Sequence, residues 1–247
     1  CTCFFLGAIV KVASQLALSG QLPDDETFSS FQSIANYPAV EQVKAFLNVD
    51  SSRSTSNQVN SFYLFGLSGV GKSHLLHASC TYAEKQGLSS VCLSFSELKQ
   101  LSVEVLDGLE HIDLICLDDV QLIAGDKVWQ QAVFDLFNRV VEHNKRLIIT
   151  GDQSALQLGI NLADLVSRLS WGMTEQIKPL DDEEKLIALK FRAQQRGLLL
   201  SDDAAKYLLS HLSRKMSHLI SALSELDEAS IREQRKITIP FIKDILF

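Results

Sequence analysis

The segment GLSGVGKS, residues 66–73, stands between the apolar run SFYLF and the helix-like HLLHASCTYAEK. It has the G-x-x-x-x-G-K-[ST] form of a phosphate-binding loop, which works in only one structural setting. A strand must deliver the chain, glycines must turn it, and a helix must begin at the lysine. Backbone N–H groups and the helix N-terminus then converge on phosphate oxygens. The residues expected around a nucleotide are Gly66, Leu67, Ser68, Gly69, Val70, Gly71, Lys72 and Ser73, with His74 next on the helix. Lys72 is expected to reach the β- and γ-phosphates and Ser73 to ligate Mg²⁺.

The neighbouring pattern agrees with that setting. SFYLFG reads as a buried strand, and Lys72 to Gln86 as a helix closed by Gly87. SVCLSF, IDLICLDD, RLIITGD and MTEQIK read as four further strands. Between them Trp129, Val133, Leu136, Phe137 and Val140 mark one face of an amphipathic helix. Upstream, Ala39 to Leu47 reads as a helix and NVDSSRSTSNQVN as a loop. Short apolar strands alternating with helices predict an α/β fold, a mostly parallel five-stranded sheet covered on both faces. Beyond Lys178 and Pro179 the pattern is helical only. Asp181 and Glu184 form a capping-box start, Gly197 a stop, and Ser201 opens a second helix. Met216, Leu219, Ile220, Leu223 and Leu226 stripe a third helix, and Pro240 starts a short last one. The expected division is a tail over 1–20, a nucleotide-binding α/β domain over 21–177 and a small helical domain over 178–247.

Composition narrows the partners. A formal net charge of -7 disfavours strong direct DNA binding and favours protein or small-molecule partners. Cys1, Cys3, Cys80, Cys92 and Cys116 have no metal-ligand spacing and read as reduced thiols of a cytoplasmic protein. The apolar start CTCFFLGAIVKVASQLALSG is interrupted by Lys11, falls short of a membrane span, and has no basic leader. It reads as a tail, with a remnant secretion signal as the alternative.

Three more places carry charge where chemistry needs it. LICLDD is expected to lie beside the loop strand and to end near the metal, with Asp118 as a ligand and Asp119 orienting water. A pair of solvated capping carboxylates is the other reading. In LIITGD, Thr150 and Asp152 fall at a strand end where a polar group would sense the γ-phosphate. Arg168, in LADLVSRLSWG, reads from its residues alone as a surface ion-pair partner, or as a cation supplied across an interface to a phosphoryl transfer.

The loop, LDDVQLIAG, ITGD, SRLSWGM and the helical end occur in the order found in bacterial replication initiators, and the chain resembles the AAA+ module of the DnaA family from about Leu22 to Leu246. LPDDETF, EVLDG, LDEASI and RKITIPFIKDIL resemble the regulatory branch of that family. The initiators continue into a helix-turn-helix DNA reader, which is not expected here. The resemblance implies a P-loop AAA+ domain followed by an all-helical lid, an adenine nucleotide (ADP or ATP) with Mg²⁺, and Arg168 as an arginine finger acting in trans. It implies as partners DnaA, the β-subunit sliding clamp of the DNA polymerase, and further copies of the chain, with no membrane. The implied role is to promote hydrolysis of DnaA's ATP in company with the DNA-loaded clamp. Gln15, Leu16 and Leu18 match the short clamp-binding motif, whose apolar side chains enter a preformed groove. One position departs: the family's lid carries an Arg where KMSHLISAL has Ser217, with Arg214 and Lys215 nearby but out of register. Hydrolysis in cis is therefore expected to be weak, and a diphosphate tightly held. An autonomous DnaA-like ATPase or helicase-loader-type motor is the alternative function.

Overall fold

The computed structural model describes residues 26–48, 60–213 and 215–247. Its centre is a five-stranded sheet: β1 (Ser61–Phe65), β2 (Ser90–Ser94), β3 (Leu114–Asp118), β4 (Arg146–Gly151) and β5 (Met173–Gln176). Their spatial order is β2-β3-β4-β1-β5, and every ladder is parallel. In β3 and β4 every residue is buried, which is why these strands read as continuous apolar runs rather than alternating ones.

Alternation still sorts side chains between the two faces. Phe62, Leu64, Leu114, Cys116 and Ile148 point to one core, shared with α1 (Tyr37–Leu47) and α2 (Lys72–Lys85). Tyr63, Ile115, Leu117, Leu147 and Ile149 point to the other. That core is covered by α3 (Phe95–Leu98), α4 (Lys127–Glu142) and α5 (Ala163–Trp171). A third core belongs to the lid helices α6 (Asp182–Gln195), α7 (Asp202–His211), α8 (Met216–Glu233) and α9 (Ile239–Leu246). Cys80 and Cys116 are buried thiols with Sγ atoms 3.7 Å apart, in contact but not bonded, and Cys92 is half-buried. Cys1 and Cys3 lie outside the described residues.

The strand carrying Asp118 is not beside the loop strand, as its sequence suggests. β4 lies between them, paired with β3 through Leu117 and Ile149 and with β1 through Leu64 and Thr150. Parallel register brings the C-terminal ends of all three strands to one edge, so Asp118 still reaches the loop. Two boundaries also shift. β2 stops at Ser94, whose Oγ caps α3 by accepting from Ser96 N, so Phe95 is helical. α1 begins at Tyr37, two residues early, because Pro38 is preset for a first helical turn. Among the described residues no helix is long and apolar enough to cross a membrane.

The lid is tied to the α/β unit by side-chain clasps. Asn36, 1% exposed, donates from Nδ2 to the carbonyl of Lys178 at 2.9 Å and accepts from its N–H at 2.8 Å. Asp181 and Glu184 close the capping box of α6. The other carboxylate oxygen of Glu184 accepts from the N–H groups of Ile34 at 2.8 Å and Ala35 at 3.3 Å. Removing that carboxylate frays a helix start and a strap together. Glu184→Ala is expected to lower stability by about 1–2 kcal/mol, read as a lower urea midpoint at unchanged slope.

Candidate functional site

The phosphate loop is shaped by close approaches that only glycine permits. A Cβ on Gly66 would stand 2.4 Å from the carbonyl oxygen of Ile177. Gly71 has φ +97°, and a Cβ there would meet the Phe31 ring at 2.6 Å. These turns leave the N-terminus of α2 open, with Gly71 as an N-cap that offers no side chain to its first-turn N–H groups. Lys72, 6% exposed, folds back and donates to the carbonyls of Gly66 at 2.8 Å and Leu67 at 3.1 Å. Burial lowers its pKa, against the opposing pull of Asp119, Asp118 and Asp152.

On the acidic side, Ser73 Oγ donates to one oxygen of Asp118 at 2.6 Å, and Thr150 Oγ1 donates to the other. The same Thr150 oxygen accepts from the N–H of Asp119 at 3.0 Å. Thr150 is fully buried and does not line the cleft, so it positions the carboxylates rather than sensing a phosphate; Asp152 does line it. Asp119 adopts φ +63°, a left-handed turn open to Asp, which swings it into the cleft while Asp118 stays beneath. Gln121 Nε2 donates to Asp119 at 2.8 Å. Ser73 and Asp118 are hard oxygen donors already in contact, the chemistry Mg²⁺ prefers. Among the described residues no cluster of three or more acidic, His or Cys side chains makes a metal site by itself, so nucleotide phosphates and water would complete the shell.

The cleft is ≈ 590 Å³, within the range of small-molecule sites. Its far wall is the lid: Ala188 and Arg192 from α6, and Met216, Ser217 and Ile220 from α8. Ser217 therefore faces the cleft at the position where the family's Arg is expected. Lys215 approaches the loop, its Cβ 3.6 Å from where a Cβ of Gly69 would lie; Arg214 lies outside the described residues.

Arg192, with a side chain 4% exposed, joins lid, strap and loop helix. Its Nη2 donates to Glu26 at 3.2 Å and to His74 Nδ1 at 3.2 Å. Since Arg can only donate, His74 Nδ1 is bare, and its Nε2–H donates to the carbonyl of Thr27 at 2.8 Å. Burial, foremost, pushes the His74 pKa down to about 4, so the ring is neutral. His74 lines the cleft, but its ring is committed to these neighbours. One turn on, His77 bonds the other Glu26 oxygen at 2.6 Å; burial opposes its protonation, but the Glu26 contact outweighs it and raises its pKa. Burial likewise works to raise the Glu26 pKa, and its bond to His77 and the nearby cations lower it overall.

Gly66 and Leu67 lead into the cleft, and Ser68 through His74, Asp119 and Asp152 line it. Arg168 does not: it lies on α5, half-buried, and is not among the lining residues. Gln15, Leu16 and Leu18 lie outside the described residues. Sequence reading missed Glu26 and Arg192, which meet across 166 residues, and Gln121, which donates to Asp119 two residues before it.

Residues 25–176 match the family model described as the bacterial DnaA ATPase domain, and residues 182–246 match the model described as Hda, lid domain. Among solved structures, domain III of the Thermotoga maritima replication initiation protein DnaA superposes with a TM-score of 0.76. That match covers 91% of this chain and 96% of the other at 19% identity, and shows the fold. AMPPCP-bound DnaA from Aquifex aeolicus gives a TM-score of 0.66 at 26% identity, covering 87% of this chain and 71% of the other. A replication initiator DnaA bound to AMPPCP and single-stranded DNA gives 0.68 at 26% identity, covering 87% and 69%.

The Glu26, His74, His77 and Arg192 cluster sets an acid dependence. As pH falls from 6.5 toward about 4, unfolded chains protonate His74 while the folded ring does not. The unfolded state then binds more protons and stability falls, by up to roughly 3 kcal/mol across that window. His77, with its raised pKa, contributes in the opposite sense: its stabilisation is present below 6.5 and lost as pH rises through its folded value. Glu26 adds a loss only below its ordinary 4.5. His77→Gln removes that contribution, so the rise in thermal unfolding midpoint as pH falls to 6.5 is expected to be lost, while the fall between pH 6.5 and 4.5 set by His74 keeps the slope of the unaltered chain.

Proposed function

Because the chain belongs to the bacterial DnaA ATPase-domain family and carries an Hda-type lid, we propose that it is a nucleotide-bound regulator that stimulates ATP hydrolysis by the initiator DnaA in company with the DNA-loaded sliding clamp. The observation that carries this reading is the location of Arg168: outside the cleft the chain itself possesses, and without an ion-pair partner among the described residues. A cation so placed suits the phosphates of another protein's nucleotide.

In this reading the chain's own nucleotide, an adenine di- or triphosphate with Mg²⁺, supplies charge and shape rather than fuel. The loop amides and Lys72 hold its phosphates, and Ser73 and Asp118 hold the metal. Lys72 must leave the carbonyls of Gly66 and Leu67 to do so, exchanging two neutral acceptors for an anion. Asp119, oriented by Gln121, is aimed to place a water molecule. With Ser217 in place of a lid cation, turnover in this cleft is slow. Occupancy of the cleft fixes the lid against the loop and so sets the surface offered to DnaA. Gln15, Leu16 and Leu18 bring the chain to the clamp, a cytoplasmic assembly on DNA.

Phosphate release from DnaA–ATP with clamp and DNA is the decisive assay. Arg168→Ala is expected to lower the stimulated rate by about 10³-fold or more while nucleotide binding to this chain is unchanged. Stimulation that survives this substitution would overturn the role of Arg168. Substituting Ala at Gln15, Leu16 and Leu18 is expected to remove clamp association in a binding titration. Rapid hydrolysis by the chain alone, indifferent to DnaA and clamp, would replace the regulator by an autonomous ATPase or loader-type motor.

A further inference from the structure

Arg168 is held in an unusual way for a half-buried cation. Among the described residues nothing accepts a hydrogen bond from it and no carboxylate pairs with it, including Asp164 one turn earlier on α5. Its guanidinium carbon instead lies 5.8 Å from the ring centre of Phe137 and 5.9 Å from that of Trp171. Aromatic faces attract a guanidinium through the ring quadrupole and leave its N–H donors free for an anion. A carboxylate in the same place would neutralise the charge and occupy those donors.

The two rings are anchored differently. Phe137, on α4 and 1% exposed, is fixed in the core. Trp171 ends α5 and is 74% exposed, a large apolar ring facing water. The residue that follows is closely packed against the sheet. A Cβ on Gly172 would lie 2.2 Å from Ser61 Oγ, and Met173 is already paired with Phe62 in the sheet. The indole is thus presented on a rigid corner, beside a cation whose donors are unused. An anion flanked by apolar surface satisfies both.

We propose that Phe137 and Trp171 are positioning residues that hold the Arg168 guanidinium between their rings, and that the exposed indole is covered by the nucleotide-bearing edge of a DnaA-family partner when Arg168 reaches its phosphates. This rests on Arg168 acting in trans. The partner's triphosphate supplies the negative charge the guanidinium lacks, and the surface around it covers the indole.

Two measurements test this in the full chain. In the DnaA–ATP assay with clamp and DNA, Trp171→Leu keeps apolar bulk but removes the π face. It is expected to lower the saturating rate about three- to fivefold, with little change in the DnaA concentration giving half the maximum. Trp171→Phe and Trp171→Tyr keep a ring and are expected to stay within about 1.5-fold of the unaltered rate. Unaltered stimulation by Trp171→Leu, or a loss with Trp171→Phe as large as with Leu, overturns the positioning role. Arg168→Ala separates the layers: if it still stimulates, the finger reading itself fails. If it is inactive and Trp171→Leu is unaltered, only the aromatic hold fails.

The second measurement does not use activity. The chain has two tryptophans, so 5-fluorotryptophan labelling gives two ¹⁹F signals, one from buried Trp129 and one from Trp171. Arg168→Ala should shift the Trp171 signal, and ATP-loaded DnaA with clamp and DNA should shift it again while Trp129 stays in place. An unmoved Trp171 signal at saturation overturns the docking. A shift on merely concentrating this chain would assign the indole to a second copy instead, and overturn the DnaA-family occupant.

Discussion

Asp118 sits at the end of β3 with both carboxylate oxygens taken, one by Ser73 from the loop helix and the other by Thr150 from β4. One bond ties β3 to the strand that separates it from β1 and the other ties it to the loop helix, so loop, helix and acidic edge are held in one geometry. Because the carboxylate is 7% exposed, losing either donor would leave a buried charge short of a partner, which costs more than the bond itself contributes. The Asp119 backbone leans on the same Thr150 oxygen, so the residue that faces the cleft takes its position from the one that does not. The cleft's acidic wall is in this sense a consequence of one hydroxyl placed by strand register.

The opposite wall depends on a different device. Glu26 and Arg192 are separated by 166 residues, and they meet across His74 and His77 of the loop helix. A neutral His74 is what makes the meeting possible: it accepts from Arg192 on one nitrogen and donates to Thr27 on the other. Protonation would set an imidazolium against a guanidinium. The lid's location over the loop, and with it the width of the nucleotide cleft, rests on that ring remaining uncharged.

Arg168 is not among the residues that line the cleft, and this division carries the regulatory reading. Inside the cleft, cations and anions are paired or poised around one nucleotide. On α5 a cation is held by rings with its donors unused. A chain that only turned over its own nucleotide would have little use for the second arrangement.

The loop, the buried strands and the helical lid were legible in the sequence because each follows from local rules: glycines before a lysine, continuous apolar runs in a covered parallel sheet, a capping box ahead of a helix. Ser217 was legible too, as the absence of a cation. The sequence could not show that β4 would stand between β1 and β3, since periodicity carries no strand order. Nor could it show that Thr150 would support Asp118 rather than face a phosphate, since either role needs only a polar residue at a strand end. That the Trp171 ring is 74% exposed beside Arg168 was likewise not written in the sequence. What the sequence determined by itself was the kind of site, because phosphate binding depends on neighbours along the chain. Which groups close that site, and which rings hold Arg168, was decided by tertiary packing, because those pairings join residues whose spacing along the chain bears no relation to their distance in the fold.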